Sequence, residues 1–356
     1  MYQYRGGIFE PTVFGILVPA EEHPLRREIS ISRLAVVAAL CSVCAGSARA
    51  NSFTINPTFD ASITSLANAA DVESRIRDTI SIFQSIFQDP ITVNIIFKNM
   101  NSGLGQSEFQ VSDIPYSTFL AAVGADSTSA DDATAFSHLA AGPNNPVTGT
   151  SDIIAKSANL KALGIFGPNT ASDGTISLNT SIMNIFRTGP QDPNFYDLQA
   201  VASHEIDEIL GLGSTLGLNF QAPDTRLNNV PSPEDFFRYD NTGNRSFTSS
   251  NSAVSYFSID GTALLAQFNN TGSADYGDWA NAGTPRVQDG FGNPGAQPNL
   301  GVEIRALDVI GYNLVPVPEP STWLLVFTGL LAGMIYRTRQ RLLQPVAVAA
   351  RYNTGK

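Results

Sequence analysis

Histidine and cysteine, the residue types that most often hold metals or form covalent sites, are scarce in this chain. Its 356 residues include 3 histidines and 2 cysteines. Cys41 and Cys44 are spaced C-x-x-C, but both lie in the apolar run 34–45, which follows Arg26, Arg27 and Arg33 and precedes Ala48-Arg49-Ala50. A charged stretch, a short apolar core and a small-residue site together read as a secretory signal peptide over residues 1–50. The region ahead of its apolar core is long, as a start codon placed too far upstream would make it. Cleavage after Ala50 leaves a mature chain without cysteine, which excludes disulfides and thiolate metal sites. His23 is lost with the same segment. Only His138 and His204 remain, so a site of three imidazoles cannot form.

Charge is also sparse. Charged residues make up 15% of the chain, with 21 Lys and Arg against 32 Asp and Glu, a net charge of −11. That balance excludes a nucleic-acid partner, which requires clustered cations, and fits an extracellular protein. The apolar fraction of 43% is ample for a core, in one large domain or two small ones. Asn, Ser, Thr and Gly are abundant, so long polar loops are expected. No internal repeat is evident.

What is present centres on residues 194–217. Ala200, Val201, Ile206, Ile209 and Leu210 recur at helical spacing, Asp197 is placed to cap the helix, and Gly211 and Gly213 to end it. His204 and Glu208 stand four residues apart, one turn apart on one face, the spacing of two ligands to one ion. Glu205 sits beside them, where a general base acting on a metal-activated water would sit.

The run His204-Glu205-Ile206-Asp207-Glu208-Ile209-Leu210-Gly211-Leu212-Gly213-Ser214 resembles the active-site helix of zincin metalloproteases, most closely the matrixin branch of the metzincins, which writes H-E-x-x-H-x-x-G-x-x-H. The first ligand, the base and Gly211 match. The second ligand is Glu208 rather than His, and the third position falls on Ser214. The pattern is similar to an H-E-x-x-E variant found in secreted bacterial proteins that carry a PEP-CTERM sorting signal. The block Pro233-Glu234-Asp235-Phe236-Phe237-Arg238-Tyr239-Asp240 resembles a D-L-F-R-Y segment of the same group. Metzincins take their third ligand near here. Asp235, Tyr239 and Asp240 are therefore candidates to complete the site, with Asp235 preferred. No methionine lies here, so the family's Met-turn is absent.

The resemblance implies an α+β, zincin-like domain over residues 51–314, with a mixed sheet, an active-site helix and a loop-rich C-terminal half. It implies a metal-dependent endopeptidase with a protein or peptide substrate, holding zinc or another divalent ion on His204, Glu208 and Asp235, with Glu205 as base. Two other functions fit the same residues: a metal-free degenerate zincin that only binds, and a structural protein associated with exopolysaccharide.

Along the chain, strands are expected over 53–59 and 91–97, and a long amphipathic helix over 69–87, stopped by Asp89-Pro90. Residues 103–111 read as a loop and a further strand, 116–123 and 131–139 as short helices, and 152–163 as helix. His138 reads as a surface or packing histidine. By resemblance, residues 175–178 are the edge strand beside the cleft, where a bound peptide pairs; a mid-sheet position for them, or a His204 that faces the core, would refute the zincin assignment. Residues 253–259 and 264–268 look like short strands or turns, 275–279 like a packed surface loop, and 302–314 like a last helix.

Pro318-Glu319-Pro320, the apolar run 323–336 and the cluster Arg337, Arg339 and Arg341 resemble the PEP-CTERM signal cut by an exosortase. Residues 315–341 would then be a sorting signal with a short transmembrane segment, inserted transiently with its arginines in the cytoplasm. The tail 342–356 extends past the pattern's usual end. The expected location is the surface or extracellular matrix of a Gram-negative-type bacterium.

Overall fold

The computed structural model describes residues 53–217, 227–316 and 322–342. These belong to a unit of residues 51–356. Residues 1–50, read above as a signal peptide, Pro318-Glu319-Pro320 of the expected sorting signal and the tail beyond Leu342 lie outside the described residues.

Strand β1 (Thr54–Phe59) and the one-turn helix α1 (Ala61–Thr64) lead into α2 (Ala69–Ile86), which buries Val72, Ile76, Ile80 and Phe83 along one stripe. Strand β2 (Thr92–Asn99) buries Val93, Ile95 and Phe97 and turns the residues between them outward, the alternation of a sheet with one face on the core. β3 (Gly105–Phe109) and β4 (Val111–Pro115) follow, then helices α3 (Tyr116–Asp126) and α4 (Ala130–His138). His138 is exposed at the end of α4, as its sequence context suggested.

Residues 152–163 are not one helix. They form strand β5 (Asp152–Lys156), paired antiparallel with β4, and the short helix α5 (Ser157–Ala162). Adjacent Ile153 and Ile154 favour the strand, and both are buried, Ile154 against Leu227 and Val230.

The main sheet has the order β1-β2-β6-β3, where β6 is Gly174–Leu178. β1, β2 and β6 run parallel; β3 closes the sheet antiparallel to β6, with Ser107 opposite Ile176. The strand expected at the cleft edge is therefore interior: Thr175–Leu178 has neighbours on both sides. Its composition explains the place, since Ile176 and Leu178 are fully buried. β3, Gly-Gln-Ser-Glu-Phe, exposes Gln106, Glu108 and Phe109 and belongs at an edge.

Two-residue strands β7 (Met183–Asn184) and β8 (Tyr196–Asp197) precede α6 (Leu198–Leu210). Beyond α6 the chain is loop-rich, with a small sheet of β9 (Arg238–Tyr239), β10 (Tyr256–Phe257) and β11 (Ala266–Gln267). Phe257, Phe268 and Trp279 pack at ring separations of 5.1–6.4 Å beneath it. Helix α7 (Val302–Val309) is shorter than the expected 302–314. Its Glu303 accepts hydrogen bonds from Trp279 Nε1, the Gln288 amide and the Gly301 amide, pinning the loop 278–289 to the core.

Helix α8 (Thr322–Leu342) carries the apolar run. No helix among the described residues is long and apolar enough to cross a membrane, so the expected transmembrane segment is not supported by the helix that contains it.

Candidate metal centre

Helix α6 is held at both ends. Asp197 caps it by accepting from the Ala200 amide at 2.7 Å, and Arg187 grips the same carboxylate through Nε and a terminal nitrogen at 2.7–3.1 Å. Gly211 stops it with φ of 147°, a backbone conformation that L side chains disfavour. Every residue of α6 is buried except Ala200, His204 and Glu208. Those three lie four apart, a single stripe one turn per residue, and the stripe faces a cleft of about 330 Å³. The other walls are β3, with Gly105 and Ser107, and the loop 286–293.

On this stripe His204 Nε2 lies 3.5 Å from Glu208 Oε1 and 3.6 Å from Asp278 Oδ1. The three side chains offer ligand atoms all within 4.8 Å of one another. Each is oriented by a further partner. His204 Nδ1 hydrogen-bonds the Val287 carbonyl at 3.0 Å, which directs Nε2 into the cleft. The Ser107 hydroxyl donates to Glu208 Oε2. Gln288 Nε2 donates to Asp278 Oδ1 at 3.1 Å.

These residues fit a divalent ion. Bonds of the usual length for zinc to imidazole and carboxylate set tetrahedral ligands about 3.4 Å apart, close to the separations found here. One imidazole and two carboxylates form a harder set than three imidazoles, open to zinc, manganese or calcium.

Of the sequence-predicted ligands, the structure brings His204 and Glu208 together and does not bring Asp235 to them. Asp235 is buried elsewhere. Its oxygens accept from Ser214 Oγ at 2.5 Å, from the Ser232 amide and hydroxyl at 2.9 Å each, and from the Thr215 amide at 3.3 Å. It braces the turn after α6. Glu234 does the same through the Gly213 amide. Tyr239 is buried, and Asp240 caps its own turn through Thr242 and Asn244. The third position is taken by Asp278, in the segment expected to be only a packed surface loop. The one signal for it was an acidic, glycine-containing turn, Asp275-Tyr276-Gly277-Asp278-Trp279, downstream of a helix short of ligands.

Glu205, the candidate base, is buried against β3 and lines the cleft. Without a bound cation, burial and then the Glu208 charge push its pKa up to about 8. Burial, reinforced by Glu208 and Asp275 against the opposing pull of His204, pushes Asp278 to about 8. Glu208 moves the other way. Burial would raise it, but the hydrogen bond and charge of His204, with Lys156 and Ser107, bring it down to about 2. Burial would lower His204, and Asp278 and Glu208 more than reverse this, leaving it well above its ordinary value. Lys156, buried behind Glu208, lies 3.7 Å over the Phe109 ring and donates to the Leu212 carbonyl. Asp207 is on the core side of α6, with neither carboxylate oxygen hydrogen-bonded among the described residues. Burial and then Glu303 raise its pKa well above the ordinary carboxylate value, and it does not line the cleft.

No protein-family model, no curated protein and no solved structure matches the chain.

Proposed function

We propose that this protein is a metal-dependent endopeptidase acting outside the cell. The observation that carries the reading is the convergence of His204 Nε2, Glu208 Oε1 and Asp278 Oδ1 beside Glu205 in an open cleft. Those atoms would hold a divalent ion, which would supply a Lewis acid able to polarise a peptide carbonyl and acidify water. Glu205 accepts the proton from the attacking water and delivers it to the leaving amine, so its carboxylate returns to its starting state. Val287 fixes the His204 ring, and the cleft walls hold the substrate.

The zincin expectation put the cleft edge on Thr175–Leu178, and that placement failed. A peptide requires an open strand edge next to the reacting group. β3 meets that requirement, because it is the antiparallel edge strand and its Gly105 and Ser107 line the cleft. The zincin topology therefore lends the proposal no support, and the endopeptidase reading rests on the His204 helix and on this edge.

A second reading has its own support. A protonated imidazole between two carboxylates makes the same 3.5 and 3.6 Å contacts, and such a network satisfies itself without an ion. The protein would then be a metal-free binding module. Metal analysis of the purified protein, with a casein-type assay, decides between them. Stoichiometric metal and chelator-sensitive cleavage support the enzyme; a metal-free, inert protein overturns it.

Export and trimming are part of the same proposal, supported by the sequence pattern at each end. The intact mass of protein from its native host tests them: retention of residues 323–336 in the mature form sinks the sorting signal.

A further inference from the structure

β3 turns two residues toward α6 at alternate positions, as a pleated strand must. Gly105 leaves space for the Glu205 carboxylate. Ser107, two residues on, donates its hydroxyl to Glu208 Oε2, while Glu208 Oε1 faces His204. We propose that Ser107 is a positioning residue of the metal centre, and that Gly105-Gln106-Ser107 is a template matched to the Glu205 and Glu208 carboxylates of α6. The proposal rests on the metal-site reading above.

The argument begins with the difference between a carboxylate and an imidazole. A histidine ligand presents one nitrogen once its other nitrogen is hydrogen-bonded. A glutamate has two equivalent oxygens on a terminal torsion that is broad and weakly biased. Left alone, Glu208 would present either oxygen, or both, in many orientations. One strong donor on Oε2 removes that freedom and leaves Oε1 aimed at the atoms of His204 and Asp278. Ser107 is suited to the task because its backbone is fixed by pairing of β3 with β6 opposite Ile176. Lys156 does not perform it: its charge acts on Glu208, but its ammonium donates to the Leu212 carbonyl. A chain with Glu in place of the second imidazole thus acquires a need for an orienting donor, and the edge strand supplies it.

The test is zinc affinity of the full-length chain, measured by competition with a chromophoric chelator, and the visible absorption of the cobalt-loaded protein. Ser107→Ala is expected to weaken zinc binding about 10- to 100-fold and to change the cobalt spectrum. Ser107→Thr, which keeps the hydroxyl, is expected to restore both. Should Ser107→Ala fold poorly, Ser107→Thr against Ser107→Val isolates the hydroxyl in two β-branched, strand-favouring side chains. Wild-type affinity and an unchanged cobalt spectrum in Ser107→Ala or Ser107→Val overturn this inference while leaving the metal centre intact. A wild-type chain that binds neither metal overturns the metal centre and this inference together.

Discussion

Gly105 leaves no room for a side chain beside Glu205: a Cβ there would lie 2.2 Å from Glu205 Oε1 and 2.8 Å from a methyl of Val201. The edge strand and the base are therefore fitted to each other. Gly105→Val is expected to displace Glu205 without removing any ligand. Hydrolysis should fall by about 10²–10⁴-fold, the usual contribution of a general base, while zinc affinity stays near wild type. Loss of metal in parallel with activity would show that Gly105 serves the ligands instead.

Glu205→Gln and Asp278→Ala separate base from ligand. The first should keep the metal and abolish cleavage, read by metal analysis beside a casein-type assay. The second should lose the metal, since it leaves one imidazole and one carboxylate. Asp235→Ala should do neither. It strands the buried amides of Ser232 and Thr215, so a stability loss of about 3 kcal/mol is expected, with metal stoichiometry retained. Metal lost from Asp235→Ala at a temperature where it is still folded would restore Asp235 as a ligand.

Glu303 reaches the site through two partners. It holds Trp279, next to the candidate ligand Asp278, and Gln288, which lies beside Val287 and bonds Asp278. Glu303→Ala should cost about 2–4 kcal/mol by freeing buried donors, alter the near-ultraviolet signal of Trp279, and weaken metal binding. An unchanged melting temperature would contradict the pinning role.

Acid pH should stabilise the fold relative to mildly alkaline pH. Burial raises Asp89 to about 7, and it raises Asp126, which shares Asn313 with Asp89, to about 6. Both lie above the unfolded value near 3.8. The folded state thus holds extra protons between those limits. The stability they contribute is full below about pH 4 and is lost as pH rises through 6 and 7. The metal-free protein should melt at a higher temperature at pH 5 than at pH 8, and Asp89→Asn should shrink the difference. An equal or larger difference in Asp89→Asn would rule out Asp89 as a source.

Helix α6 and its His204–Glu208 pair were legible because everything needed was local: apolar spacing, Asp197 ahead, Gly211 behind, and His204 one turn from Glu208. α2 and β2 were legible for the same reason. Strand order was not. Thr175–Leu178 and Gly105–Phe109 both read as strands, and only their pairing decides which lies inside; the clue lay in composition, apolar against polar, rather than in position along the chain. Asp278 was hidden because its role depends on the Trp279–Glu303 and Gln288 contacts, which join distant parts of the chain. Asp235 misled because a carboxylate beside Ser232, in a segment downstream of the helix, looks the same whether it holds an ion or caps a turn. Residues 152–163 misled because Ile153-Ile154-Ala155 carries no helical period and no alternation, leaving the partner strand β4 to decide.

The two ends of the described domain meet at one place. Phe53 packs edge-on against Phe87 and Tyr312, at 5.7 and 6.0 Å. The Gln88 amide donates to the Asn313 carbonyl, and the Val315 amide to the Ile86 carbonyl. Mechanically, this is a clasp. Tension applied to the chain beyond Val315 would be borne first by these backbone bonds and the ring cluster, and shared with β1, before it reached the cleft loops. The clasp reaches the candidate site's helix through Tyr312, whose hydroxyl donates to the Leu210 carbonyl at 2.7 Å, at the last turn of the helix that carries Glu208. A domain hung by its C-terminus would thus keep its working face slack until the clasp opened, and its two termini, side by side, would tolerate being joined and cut elsewhere.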